Sequence, residues 1–187
     1  TPEGNPVFVD DPGFGKAIQL DGIDDCVVLP IGPLINTLTS ATFSTRVNFS
    51  NKGGSWQRIF DFGSGIDNYV LLSPSALPYG GMWFGIRSPS STAESFTSTE
   101  SPLPTGWHHV AAVIDGMSNT MQLYVDGGLV ASGTTNRLPK DLGNTTQNWL
   151  GKSQWAEDPL FAGALDEFRI YNRPLTEGEV RYLAGDR

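Results

Sequence analysis

The sequence predicts an all-β domain: two antiparallel sheets packed face to face as a β-sandwich, closed by one short C-terminal helix. Three features carry that expectation. Short segments of strand composition recur from Lys16 onward, separated by turn clusters. Gly (22) and Pro (13) together approach a fifth of the 187 residues, as many short strands joined by turns require. Within the strand segments apolar and polar residues alternate, so one face packs and the other stays wet.

Residues 1–15 read as loop, with three Pro and three Gly. Strands follow near 16–20, 25–29, 42–49, 57–62, 68–73, 82–87, 108–114, 120–126, 129–132, 147–151 and 164–172. About eleven strands suffice for two sheets. Two turn signals set the middle of the chain: Asp115-Gly116 precedes Met121–Val125, and Asp126-Gly127 joins that strand to Leu129–Ala131 as a tight hairpin. Alternation assigns faces. Phe43, Val47 and Phe49 lie opposite Ser44, Arg46 and Asn48, and Phe168 and Ile170 lie opposite Glu167, Arg169 and Tyr171. The one helix candidate comes last, where Thr176 and Glu179 have capping-box spacing and Val180 and Leu183 form an apolar pair before Gly185. No internal repeat, low-complexity tract or domain boundary interrupts residues 1–187, which read as one domain.

Bulk properties narrow the function. A formal net charge of −8 argues against nucleic acid, whose phosphates need a basic footprint, and against an anionic membrane surface. No apolar run approaches the roughly 20 residues that span a bilayer. Cys26 is the only cysteine, so no intrachain disulfide forms, and one cysteine says little about compartment. Beginning at Thr1 without Met or a signal peptide, the sequence reads as a processed protein or a module of a larger one.

An ordered set of motifs then becomes recognisable. Ala17–Gly22 with Cys26–Pro30, Trp56–Gly63, Gly106–Ala111, Leu123–Gly127, Asn148–Trp155 and Gly163–Leu175 occur in that order. Together they resemble the bacterial laminin-G-like, concanavalin A-like jelly rolls over nearly the whole chain. Each motif alone is weak; the ordered set is specific for the fold and much less so for function. The resemblance implies a module of a secreted bacterial polysaccharide-active protein, with a polysaccharide or oligosaccharide as ligand and a larger multidomain enzyme as its setting. A scaffold domain that contacts protein alone is the rival, and a glycoside hydrolase or lyase the third class.

Catalysis finds little support in the residues. Retaining glycanases need two carboxyl groups about 5–5.5 Å apart on one face, and Glu-x-Asp-x-x-Glu or Glu-x-Asp-x-Glu strings are absent. Asp166 and Glu167 are adjacent, so their side chains should point to opposite faces. His108 and His109 diverge for the same reason. There is no Gly-x-Ser-x-Gly elbow and no His-Glu-x-x-His helix, although composition leaves a Ser-His-Asp site open.

Two constellations remain as candidate sites. Asp21-Gly22-Ile23-Asp24-Asp25 is an acidic turn with two readings side by side: ordinary turn residues, or a calcium site built from hard oxygen ligands. Asp166 favours calcium, because its parity with Phe168 and Ile170 aims its carboxylate at the apolar side, where a charge needs a partner. In the family that the chain resembles, the first hairpin and this late strand are neighbours and many members hold one calcium between them. Carried over, Asp21 and Asp166 are the metal ligands, with Asp24 beside them, and the ion is structural. The second constellation is aromatic. Trp107 and Trp149 read as core. Trp83 shares a face with Gly85 and Arg87, and Trp56 and Arg58 follow a flexible Gly-Gly stretch. Trp83, Arg87, Trp56 and Arg58 are therefore the expected ligand-binding residues, with Trp155 and Tyr79 as further exposed rings.

Overall fold

The computed structural model describes residues 1–91 and 93–185. In chain order its strands are β1 (Pro2–Glu3), β2 (Val7–Asp11), β3 (Gly15–Asp21), β4 (Cys26–Val28), β5 (Ala41–Phe49), β6 (Phe60–Gly63), β7 (Tyr69–Ser73), β8 (Trp83–Arg87), β9 (Ser95–Ser98), β10 (Gly106–Asp115), β11 (Thr120–Val125), β12 (Gly128–Thr134), β13 (Gln147–Leu150) and β14 (Ala162–Tyr171). Helix α1 is a single turn at Gly32–Ile35, and α2 spans Glu177–Ala184. The strands form two seven-stranded sheets in the orders β1-β4-β13-β6-β7-β8-β9 and β12-β11-β10-β5-β14-β3-β2, hereafter the first and second sheet. Every pairing is antiparallel. The sandwich expected from the alternation is the observed fold.

The inner faces bury one continuous core, in which Phe43 sits 5.0 Å from Phe60 and 5.9 Å from Phe62, ring centre to ring centre. Phe49 stacks on Phe161 at 6.2 Å. The hairpin at Asp126-Gly127 has φ of +48° and +82°, the left-handed pair that a type I′ turn demands. On the outer face of the second sheet, α2 buries Val180 against Ala111, Val113, Tyr124 and Leu175 as a small second core. Thr176 caps that helix, its hydroxyl accepting from the Glu179 backbone N–H, and Glu179 reaches back to the Thr176 N–H.

Four expectations change. Residues 1–15 are not all loop: β1 pairs with β4 and β2 with β3, so the N-terminal segment supplies an edge strand to each sheet. Strand β9 was not foreseen, because Ser95-Phe96-Thr97-Ser98 lies in a polar Ser- and Thr-rich stretch. A second helix, α1, exists as one turn opened by Pro33. Neither Trp107 nor Trp149 is core. Trp107, paired with Asn48, lies half-buried on the outer face of the second sheet, with the Arg46 guanidinium 5.4 Å from its ring centre. Trp149, directly opposite Asp61 across β13 and β6, lies half-buried on the outer face of the first sheet, with the Lys152 ammonium 5.0 Å from its ring centre.

Candidate functional site

The outer face of the first sheet carries the principal constellation. Cross-strand pairing places Trp149, Asp61, Leu71, Gly85 and Phe96 in one row over β13, β6, β7, β8 and β9. Flanking rows pair Tyr69 with Arg87 and Ser73 with Trp83. A pocket of about 260 Å³ opens there, lined by Trp56, Arg58, Tyr69, Leu71, Trp83, Glu94, Trp155 and Asp158.

Its floor is sheet, and its walls are loops. Trp83 stacks on Phe96 at 3.9 Å between ring centres, while Trp56 tilts towards Trp83 at 5.8 Å and towards the exposed Tyr79 at 6.2 Å. Trp155 meets Tyr69 edge-on at 5.0 Å. Trp83 Nε1–H donates to Glu94 at 3.2 Å. Gly85 lies beneath this pair, and a Cβ there would collide with the Glu94 carboxylate. Burial raises the Glu94 pKa, partly opposed by hydrogen bonds from Trp83 and Tyr69.

Arg58 organises the walls rather than protruding from a loop tip. Only 1% exposed, it donates to the Trp56 carbonyl and Asp158 (2.7 Å) and lies 3.3 Å from Asp61. Its guanidinium carbon sits 5.5 Å from the Trp56 ring centre and 5.4 Å from that of Trp155, within cation–π range of both. Trp56 adopts φ of +67°, a conformation rare for a bulky residue, and its N–H donates to Ser75 O. Asp61 is fully buried: Oδ2 accepts from Arg58 and from the Gln154 N–H, whereas Oδ1 has no partner. Burial pushes its pKa up to about 7 against the pull of Arg58.

Trp56, Arg58 and Trp83 thus meet in one pocket. Arg87 stands on the same face beside Tyr69, tied to Asp67 at 2.7 Å. Tyr69, Glu94 and Asp158 join the pocket from outside the expected set, and Trp155, expected only as a further exposed ring, forms part of its wall. Tyr69 was legible, since it shares outward parity with Leu71 and Ser73. Glu94 and Asp158 sit in loops, where no periodicity marks direction.

The acidic residues divide differently from expectation. Asp21, Asp24 and Asp25 each offer a ligand oxygen, all within 4.8 Å of one another. Asp21 Oδ1 accepts from the N–H groups of Ile23 (2.8 Å) and Asp24 (3.3 Å), and the Ile23 bond leads in lowering its pKa. The buried Asp25 accepts from the Asn5 and Asp21 N–H groups. Asp166 does not aim inward. A bulge at Glu167, with φ of +50°, separates the pairs Asp166–Arg46 and Arg169–Ser44. The bulge reverses parity, so Phe168 and Ile170 pack against the core while Asp166 shares the outer face with Arg46. Burial and Asp11 raise its pKa, and Oδ2 lacks a partner.

That outer face of the second sheet holds another cavity, about 360 Å³, with Ser44, Arg46 and His109 in its lining. Ser44 Oγ lies 2.9 Å from His109 Nε2, a serine–histidine pair. Nothing orients it as a triad would: His109 Nδ1 has no partner, and Asp11 is engaged by Arg46 through two bonds. Burial lowers the His109 pKa to about 4, which makes the imidazole a weak base.

An aromatic-walled pocket on one sheet of a β-sandwich, with carboxylates at its rim, is the arrangement of a lectin-like binding domain. A laminin-G-type family model, described as the concanavalin A-like lectin/glucanases superfamily, matches residues 21–181, and the chain belongs to that superfamily. No curated protein matches it. Among solved structures it resembles domain 4 of AbnA, an extracellular GH43 arabinanase of Geobacillus stearothermophilus, in complex with arabinotriose. The TM-score is 0.82 at 26% identity, covering 97% of this chain and 82% of that one. The CBM40 of the Ruminococcus gnavus IT-sialidase, bound to α2,3-sialyllactose, gives a TM-score of 0.70 at 15% identity over 98% of both chains. The binding domain of botulinum neurotoxin serotype C1 gives 0.71 at 13% identity, over 99% of this chain and 46% of that one. At those two identities the likeness is one of fold.

Proposed function

We propose that this domain is a non-catalytic carbohydrate-binding module, accessory to a secreted bacterial enzyme that degrades polysaccharide. The observation that carries the reading is the pocket of Trp56, Trp83, Trp155 and Tyr69 with Glu94 and Asp158 at its edge. Sugar rings present apolar C–H patches and a rim of hydroxyls, which indole faces and carboxylate acceptors complement. The likeness to an arabinanase domain solved with arabinotriose supports an oligosaccharide ligand. That arabinanase is extracellular, which supports a secreted setting.

Calcium belongs to the same reading, at Asp21, Asp24 and Asp25 rather than Asp166. Three carboxylates with ligand oxygens within 4.8 Å suit a hard cation that takes six to eight oxygens at 2.3–2.6 Å. The ion's role is structural, tying the segment around Asn5 to the turn between β3 and β4.

Calorimetric titration against plant and algal oligosaccharides, with calcium and then with chelator, tests both parts. Saturable heat with Kd between micromolar and millimolar is expected, because sugar hydroxyls exchange water hydrogen bonds for protein ones. Chelator should lower Tm, and Asp25→Asn should abolish that shift. No heat across the panel would remove the module reading and favour a scaffold, for which edge strand β2 offers Phe8 (69% exposed) on one face and Val7 (58% exposed) on the other as apolar contact points.

A further inference from the structure

We infer that the aromatic pocket selects uncharged sugars against uronic, sialic or sulfated ones, and that Asp67 enforces this by holding Arg87. The inference rests on the binding-module reading and adds the ligand class to it.

The charges around the pocket carry the argument. Three carboxylates, Asp67, Glu94 and Asp158, face two guanidinium groups, Arg58 and Arg87, while the fully buried Asp61 lies beneath them, outside the lining. Recognition of an anionic sugar needs a cation free to form a bidentate pair. Arg58 is not free: it is 1% exposed and bonded to Asp158 and the Trp56 carbonyl, with Asp61 beside it. Of the two guanidinium groups Arg87 is the one with side-chain exposure, 30%, and Asp67 occupies its Nη2 at 2.7 Å. The Lys152 ammonium, also on this face, lies over Trp149, two strands away from Leu71 of the pocket. Glu94, fixed by Trp83 Nε1–H, presents negative charge beside the rings where a sugar would stack. A ligand carboxylate or sulfate there meets repulsion strengthened by burial, whereas a hydroxyl donates to Glu94 or Asp158. An acidic patch that leaves its own cations neutralised is thus a filter for uncharged ligands.

The test pairs neutral and acidic probes: arabinotriose and galactotriose against trigalacturonic acid and α2,3-sialyllactose, titrated into the intact domain. The expected result is saturable binding of a neutral probe with at least tenfold weaker binding of both acidic ones. Asp67→Asn, at an exposed position outside the pocket lining, should raise affinity for an acidic probe tenfold or more and leave the neutral Kd within twofold. Equal or tighter binding of an acidic sugar by the unaltered domain would overturn the inference while leaving the module reading intact. So would an Asp67→Asn variant with no gain. A readout that needs no sugar separates the two readings further. In a Trp107→Phe, Trp149→Phe background, which leaves the three pocket indoles as reporters, caesium should quench tryptophan fluorescence more than iodide does, and Asp67→Asn should narrow that difference at low salt. Iodide quenching that matches or exceeds caesium quenching would overturn the inference even if no glycan bound.

Discussion

Arg58 and Trp83 show how differently two residues of one pocket contribute. Trp83 presents a half-buried ring to solvent with Phe96 behind it, so truncation removes contact surface and little core. Trp83→Ala should weaken glycan binding at least tenfold, about 1.4 kcal/mol, in calorimetry, with Tm nearly unchanged. Arg58 is inside, joining Asp61, Asp158 and the Trp56 carbonyl. Arg58→Met leaves Asp61 buried without its cation, and removing one partner of a buried pair costs about 3–5 kcal/mol. Urea unfolding should show that loss together with lost binding. Loss of binding at unchanged stability would mean that Arg58 contacts the ligand and does not organise the walls.

At the level of elements, local chemistry decides where strands end and faces reverse. Helix α2 exists because Thr176 and Glu179 satisfy each other's backbone N–H groups and Gly185, at φ of +100°, terminates the last turn. Its Val180 seals the second core, so Thr176→Ala should cost about 1 kcal/mol, read as a lower urea midpoint at unchanged m-value. Strand β14 shows the opposite case. One residue at Glu167 adopts a left-handed conformation, and every side chain beyond it changes face. The helix cap is written in the spacing of its residues. The bulge is not, because Glu carries no signal for positive φ, and the parity argument for Asp166 failed on that single residue.

For the whole molecule, two buried groups make stability depend on pH with opposite signs. The Asp61 pKa rises to about 7 in the fold, so the folded state keeps a proton that the unfolded chain has released above about pH 4. Its contribution is therefore complete below the unfolded pKa and is lost as pH rises towards 7. His109, lowered to about 4, works the other way: protonation favours the unfolded chain, so stability grows as pH rises from about 4 to the ordinary histidine range. Urea titrations at pH 4, 5.5 and 7 should show that Asp61→Asn removes the downward component. The variant should gain stability relative to the parent as pH rises. Parallel profiles for parent and variant would contradict a raised Asp61 pKa.

Composition, alternation and turn residues already contained the sandwich, most strand positions, the Asp126-Gly127 hairpin and the C-terminal helix. Those features depend on neighbours in sequence: a period of two, a type I′ turn, a capping box. The outward parity of Trp83 was legible for the same reason. Tertiary structure decided that Trp56, Trp83 and Trp155, from separate strands and loops, share one pocket, and that Arg58 lies beneath their rings rather than in solvent. It also decided that Asp25 joins Asp21 and Asp24 while Asp166 turns to the opposite face from the core. Loop direction and bulge position follow from closure of the whole sandwich, in which long-range pairing overrides local preference. A run of fifteen residues without periodicity could therefore supply an edge strand to each sheet.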